Sequence, residues 1–296
     1  MIDKLIIVGC GLIGGSFARA LRKANAVKHI VGYDVNQSEA SEALRLGVID
    51  EISDDLEGAA VGADFIFIAT PVSHIPTLLG RLAKVVSTHC AITDAGSTKV
   101  ELIAQARSSM GGKFKQYVPG HPIAGRETSG ASAAEAQLFQ GKNIVITPTE
   151  MTEESLFIGV SKAWEACGAN VRTMTADEHD KIFAAVSHLP HLLAFALVDE
   201  IAGRDNAAVF FNYAASGFRD FTRIAASSPD MWRDITLQNK VALQVELTAF
   251  QAKITQLQTL LDQPEATASA GLHAMMSRAQ HARKDWQMGQ NIEPKA

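Results

Sequence analysis

The stretch GHPIAGRETSG, residues 120–130, sets one titratable imidazole, His121, directly before a proline and among glycines and charges. Histidine is the side chain whose ordinary pKa lies nearest neutrality, so a fixed imidazole suits the removal of a proton from a substrate hydroxyl. Pro122 fixes its own φ and pushes His121 towards extended backbone, while Gly125 and Gly130 permit turns that other residues resist. The segment is therefore expected to be a loop that holds His121 in place; the plainer alternative is a turn that happens to contain a histidine. Further candidates follow along the chain. In DAGSTK, Asp94 to Lys99, Ser97 either caps the next helix or turns its hydroxyl towards a ligand, and Lys99 reads as a solvated helix residue. SHLPHLLAFAL puts His188 and His191 around Pro190, which is expected to kink a helix. GFRDFTRIA sets Arg219, Asp220 and Arg223 in an otherwise apolar helix, and PDMWRD adds Trp232. Taken singly, these are a kinked core helix and surface charges.

A second group of residues speaks of a dinucleotide. VGCGLIGG supplies Gly9, Gly11 and Gly14 in the spacing G-x-G-x-x-G, with Leu12 and Ile13 between the last two. The motif follows an apolar run at the N-terminus and opens a helix, and an acid, Asp34, closes the next apolar run. In that context Gly9 allows a tight turn, Gly11 lets the backbone approach a pyrophosphate, and Gly14 lets helix and strand pack closely. The helix N-terminus offers free N–H groups and partial positive charge to the phosphates. Asp34 would accept hydrogen bonds from ribose hydroxyls and repel a 2′-phosphate, so NAD is expected rather than NADP. Thr70 and Pro71, after a later apolar run, are expected on the same rim, where open α/β sheets bind ligands. Cys10, inside the glycine loop, reads as a small packing residue.

The elements that position these residues change rhythm once. Up to about residue 175, KLIIVG, HIVGYD, DFIFIAT, CAITDAG, QYVPGHP, NIVITP and NVRTM read as strands, with helices over 14–24, 37–46, 73–84 and 97–108 between them. Apolar strands separated by helices indicate βαβ units around a largely parallel sheet. From 176 onwards the patterns are helical. The boundary is therefore expected at Thr175–Ala176, giving domains 1–175 and 176–296. Leu243, Leu247, Phe250, Ile254, Leu257 and Leu261 draw an apolar stripe along one helix, which serves either packing within its own domain or a seam between two subunits.

Bulk composition narrows the field. At 296 residues two domains are expected, and 47% hydrophobic with 20% charged residues is ordinary globular composition. A net charge of −5 argues against general binding to nucleic acid or anionic membranes. Cys10, Cys90 and Cys167 are widely spaced and odd in number, with neither disulfide framework nor metal-ligand spacing, so a reducing, cytoplasmic setting is expected and no metal. The apolar N-terminal run carries Asp3 before it and no cleavage site after it, which is unlike a signal peptide.

Together these motifs carry a resemblance. The chain resembles the prephenate and arogenate dehydrogenases, the oxidoreductases of tyrosine biosynthesis, in GxGLIGGS (Gly9 to Ser16), DAGSTK, HPIAGxExSG (His121 to Gly130), SHLPH, and GFRDFTRIA followed by MWRD. The resemblance implies an α/β Rossmann N-terminal domain followed by an all-α helical C-terminal domain that dimerises, with the active site between them. It implies oxidative decarboxylation of a cyclohexadienol acid, prephenate or arogenate, with NAD+. By position, His121 would take the ring hydroxyl's proton, Ser97 would support that hydroxyl, and Arg223 would hold a substrate carboxylate. His188, Arg219, Asp220, Glu127 and Trp232 would complete the pocket. Arg126 departs from the small or uncharged residue expected of relatives; it either favours a dicarboxylate or pairs with Glu127. No fused mutase or C-terminal regulatory domain is expected. Two other readings stand beside this one: a Rossmann dehydrogenase acting on a 3-hydroxy acid or imine, and a non-catalytic NAD-responsive binding module.

Overall fold

The computed structural model describes residues 1–126 and 128–289. Its first part alternates strand and helix: β1 (Ile2–Val8), α1 (Leu12–Lys23), β2 (Val27–Tyr33), α2 (Gln37–Arg45), β3 (Glu51–Ile52), α3 (Leu56–Ala60), β4 (Phe65–Ile68), α4 (Ile75–Leu82), β5 (Ala91–Asp94), α5 (Val100–Met110) and β6 (Tyr117–Val118). The six strands form one parallel sheet in the order β3-β2-β1-β4-β5-β6. Leu5 and Ile7 of β1 enter one core and Ile6 and Val8 the other; Phe65 and Phe67 of β4 part from Ile66 and Ile68 in the same way. A strand covered on both faces demands an unbroken apolar run, which is why LIIV and FIFI lack polar alternation. The strand order reverses between β1 and β4, the arrangement of a Rossmann sheet, and opens a crevice at their carboxyl ends.

The run QYVPGHP does not form one strand, as the sequence suggests. Pro119 has no N–H to give a ladder, and the chain leaves the parallel sheet there. It re-enters as β7 (Gly120–Pro122), antiparallel to β8 (Asn143–Ile146), which pairs in parallel with β9 (Asn170–Thr173) after α6 (Glu154–Ala166). The crossing passes close to β5: a Cβ on Gly120 would stand 3.0 Å from the Asp94 carbonyl oxygen and 3.1 Å from Thr93 Oγ1. His121 thus sits on a strand, paired with Val145, and not on the loop expected from its glycines. Gly130 does use left-handed backbone, at φ +90°.

Beyond β9 the described residues are helical: α7 (Ala176–Phe183), a π-helical turn (Ala184–His188), α8 (Leu189–Ala202), α9 (Ala207–Asn212), α10 (Ser216–Thr222), α11 (Pro229–Gln238), α12 (Lys240–Leu261) and α13 (Glu265–Gly289). Thr175 and Glu178 close a capping box that starts α7. Pro190 sits in the first turn of α8, where a missing N–H is tolerated, and the wide π turn before it absorbs the irregularity without ending the helix. Ala176–Ala202 is apolar and long enough to cross a membrane by length and composition, a test that core helices also pass. Here it buries His179, Asp180 and His188.

The chain divides into two compact units, Met1–Leu243 and Gln244–Ala296. The first holds both sheets and the helices up to the start of α12. The second holds the rest of α12 and α13, where Gly271 lies so close to Leu260 that a Cβ there would stand 2.6 Å from Leu260 Cδ2. Its apolar stripe is open in the single chain, with Leu247, Phe250, Ile254 and Leu261 all exposed.

Candidate active site

The glycine loop between β1 and α1 fits a pyrophosphate. Gly9 has φ +95°, and a Cβ there would lie 2.6 Å from the carbonyl oxygen of Ala69 at the end of β4. A Cβ on Gly14 would collide with the Gly9 carbonyl, so helix and turn approach as only glycine allows. Gly11 instead faces open space, and no side chain caps the α1 N-terminus. Leu12 and Ile13 lean back on the core. The carboxylate of Asp34, just past β2, is held by two backbone donors, the Cys10 N–H at 2.7 Å and the Asn36 N–H at 2.8 Å. Thr70 and Pro71 follow β4, and Thr70 Cγ2 borders Gly9. These features together form a cradle able to hold NAD.

At the neighbouring strand ends lies a dry network of ionisable groups. Asp94, the last residue of β5, accepts from the Tyr117 hydroxyl at 2.8 Å and the Gly120 N–H at 3.0 Å through Oδ1. Its Oδ2 accepts from Lys99 Nζ and the Gly96 N–H, both at 2.7 Å. Lys99 and Asp94 are both completely buried, which corrects the expectation of a solvated lysine. Ser97, partly buried, does not cap α5; Asp180 of α7 does so, accepting from the N–H groups of Lys99 and Val100 at 2.8 Å each. A carboxylate there also meets the positive end of the helix.

His121 faces this network. Its Nδ1 lies 2.8 Å from Nε2 of His179, and His179 Nδ1 lies 2.7 Å from Asp180 Oδ1. Phe183 packs on both rings, with centroids 4.9 Å and 4.5 Å away. Burial holds the His121 pKa well below the usual imidazole range, and the charges of His179, Lys99 and His188 push it the same way. A neutral His121 follows at physiological pH, which is the form that accepts a proton.

Next to it, His188 ends the π turn. Its Nδ1 lies 3.0 Å from Asn239 Nδ2, which also donates to the Asp180 carbonyl. Burial pushes the His188 pKa down to about 4, against an opposing pull from Asp180. Trp232 Nε1 is buried and lacks a hydrogen-bond partner among the described residues, while the Ser97 backbone beside His188 favours its charged form against burial. Trp232 stacks on His191 at 3.6 Å between ring centroids and meets His188 edge-on at 6.1 Å. Buried polar atoms without partners are costly, and a bound ligand is the usual remedy at a site.

Residues 17–173 match the prephenate dehydrogenase nucleotide-binding domain, and residues 175–278 match the prephenate dehydrogenase dimerization domain. The chain belongs to the prephenate dehydrogenase family. Prephenate dehydrogenase of Bacillus subtilis is 36% identical over 90% of this chain and 72% of its own length. Cyclohexadienyl dehydrogenase of Zymomonas mobilis is 33% identical over 88% and 89%. The crystal structure of Aquifex aeolicus prephenate dehydrogenase in complex with hydroxyphenyl propionate and NAD+ superposes with a TM-score of 0.89 at 36% identity, covering 96% of this chain and 98% of that one.

Three of the remaining residues expected in the site of this family member fall on the helical part. Arg219 and Asp220 lie exposed on α10, and Arg223 begins the 3₁₀ turn after it; the charge of Arg223 reaches His191 and lowers its pKa, after the larger effect of burial. Arg126 is exposed and pairs with Glu135 at 2.5 Å. Glu127 lies outside the described residues. Sequence reasoning passed over His179, Asp180 and Asn239. One signal was present: the box Thr175–Glu178 starts a helix in which His179 and Phe183 share a face, four residues apart.

Proposed function

We propose that this chain oxidatively decarboxylates prephenate with NAD+ to give 4-hydroxyphenylpyruvate, CO2 and NADH, with arogenate as a second substrate yielding tyrosine. The observation that carries this reading is a buried, neutral imidazole beside a dinucleotide cradle, in a chain of this family. The glycine cradle would hold NAD+, which when bound would supply the acceptor for the hydride on the carbon that bears the ring hydroxyl. His121 takes that hydroxyl's proton on Nε2. Loss of the ring carboxyl as CO2 supplies the electron pair that aromatises the ring, and the ring oxygen takes the proton back from His121 as the phenol forms, so the chain has only to bind, orient and hold one proton in between. Ser97 supports the hydroxyl, and Arg223 anchors a carboxylate. The unpartnered Nε1 of Trp232, beside His188, supports a place for a substrate oxygen there. Arg219, Asp220 and Glu127 complete the pocket, and Arg126, already paired with Glu135, stands at its mouth.

In this reading residues 1–175 serve the dinucleotide and 176–296 serve substrate and dimerisation. The exposed stripe at Leu247, Phe250, Ile254 and Leu261, within the matched dimerization domain, supports a homodimer. Light scattering at micromolar concentration is expected to give twice the 31.7 kDa chain mass, and a monomer with full activity would refute the dimer. A cytoplasmic setting belongs to the same proposal, supported by three buried free thiols.

The direct test mixes the protein with NAD+ and prephenate, then with arogenate, and follows absorbance of the reduced cofactor. Turnover of neither substrate would sink the proposal. In this reading the Asp34 carboxylate repels a 2′-phosphate, so NADP+ is expected to be poorer by about tenfold or more, equivalent to about 1.4 kcal/mol.

A further inference from the structure

His179 and Asp180 are aligned behind His121. We propose that His179 and Asp180 are positioning residues that fix the tautomer of His121, leaving its Nε2 bare to receive the substrate's proton. The inference rests on the reading of His121 as the base.

Donor and acceptor counting leads there without ambiguity. Asp180 accepts from the backbone N–H groups of Lys99 and Val100 at 2.8 Å each and faces His179 Nδ1 at 2.7 Å. An ionised carboxylate only accepts, so His179 must carry its proton on Nδ1. The Nε2 of neutral His179 then bears a lone pair. At 2.8 Å from that lone pair, His121 Nδ1 must be the donor. A neutral imidazole carries one N–H, so His121 Nε2 has none. The opposite tautomer would set two lone pairs against each other in a site that excludes water, since His179 is fully buried and Phe183 packs on both rings.

The same alignment steadies the product of proton transfer. Once His121 becomes imidazolium, its Nδ1–H bond to His179 is charge-assisted and therefore stronger. No proton has to travel beyond His121. Facing His121 are the cation of Lys99 at the head of α5, His179 on α7 and His188 on the π turn, with the carboxylates of Asp94 and Asp180 behind them. The bond that His121 Nδ1–H donates to His179 favours the charged form of His121, while burial and the charges of His179, Lys99 and His188 oppose it.

Two variants of His179 separate this role from mere packing. His179→Leu keeps the volume but removes the acceptor; its kcat is expected to fall about 100-fold with KM for prephenate and NAD+ affinity unchanged. His179→Gln can accept from His121 Nδ1 through Oε1, and is expected to recover kcat to within about tenfold of the parent. A leucine variant as fast as the parent, or a glutamine variant as slow as the leucine one, would overturn the proposal. Nitrogen NMR of the histidine rings in the parent protein reads the tautomer directly and needs neither turnover nor a folded variant. The expected pattern for His121 is a protonated Nδ1 and a bare Nε2; the reverse pattern overturns the assignment even if the enzyme turns over prephenate.

Discussion

Replacing His121 with asparagine is expected to lower kcat by about 10²–10⁴-fold with little change in KM, the usual scale of a lost general base. Asparagine preserves a polar contact with His179 and the strand pairing with Val145, but it has no site for the substrate's proton. The pH profile should change with it. In the parent, burial and the charges of His179, Lys99 and His188 hold the His121 pKa well below 6.5. The sign follows directly: above that lowered pKa the imidazole is neutral and can accept, and activity is lost as pH falls through it. The acidic limb of the kcat profile should therefore lie below the range of an ordinary histidine, and the asparagine variant should lack it. A variant that folds, binds NAD+ and keeps near-parental kcat with the same profile would make His121 a structural residue.

The second large effect is on stability. Asp94 and Lys99 form an ion pair with no exposure on either side chain, and Asp94 also receives the Tyr117 hydroxyl and the N–H groups of Gly96 and Gly120. Burial pulls the Lys99 pKa down, and the charge and hydrogen bond of Asp94 oppose it. Asp94→Ala strands a buried ammonium and three donors at once. The expected loss is about 3–5 kcal/mol in urea unfolding, a large share of the roughly 5–15 kcal/mol that a globular protein has. Adding Lys99→Met removes the stranded charge and should recover part of the loss. If Asp94→Ala unfolds at the parental urea concentration, the pair does not hold this region together. A buried pair of this kind is weak evidence for stability in itself; its effect here is to tie the end of β5 and the start of β6 to the head of α5, beside His121.

Much of this architecture is legible in the chain before any contact is known. LIIV and FIFI announce strands covered on both faces, because only an all-apolar run can be buried twice. Gly9, Gly11, Gly14 and Asp34 disclose the cradle, since close approach and a positive φ leave no other residue type suitable at Gly9 and Gly14. The motifs around His121, His188 and Arg223 carry the family. Local pattern was insufficient where the deciding partner is distant. Lys99 looks solvated because helical spacing says nothing of Asp94, five residues earlier across a strand-to-helix turn. QYVPGHP looks like one strand, yet its second half pairs with β8 in another sheet. His121 looks held by its own proline and glycines, whereas its ring is oriented by His179, 58 residues further on. Covalent neighbours restrict φ and ψ; the direction of an imidazole's proton depends on which acceptor the folded chain brings to 2.8 Å, and that acceptor comes from another element.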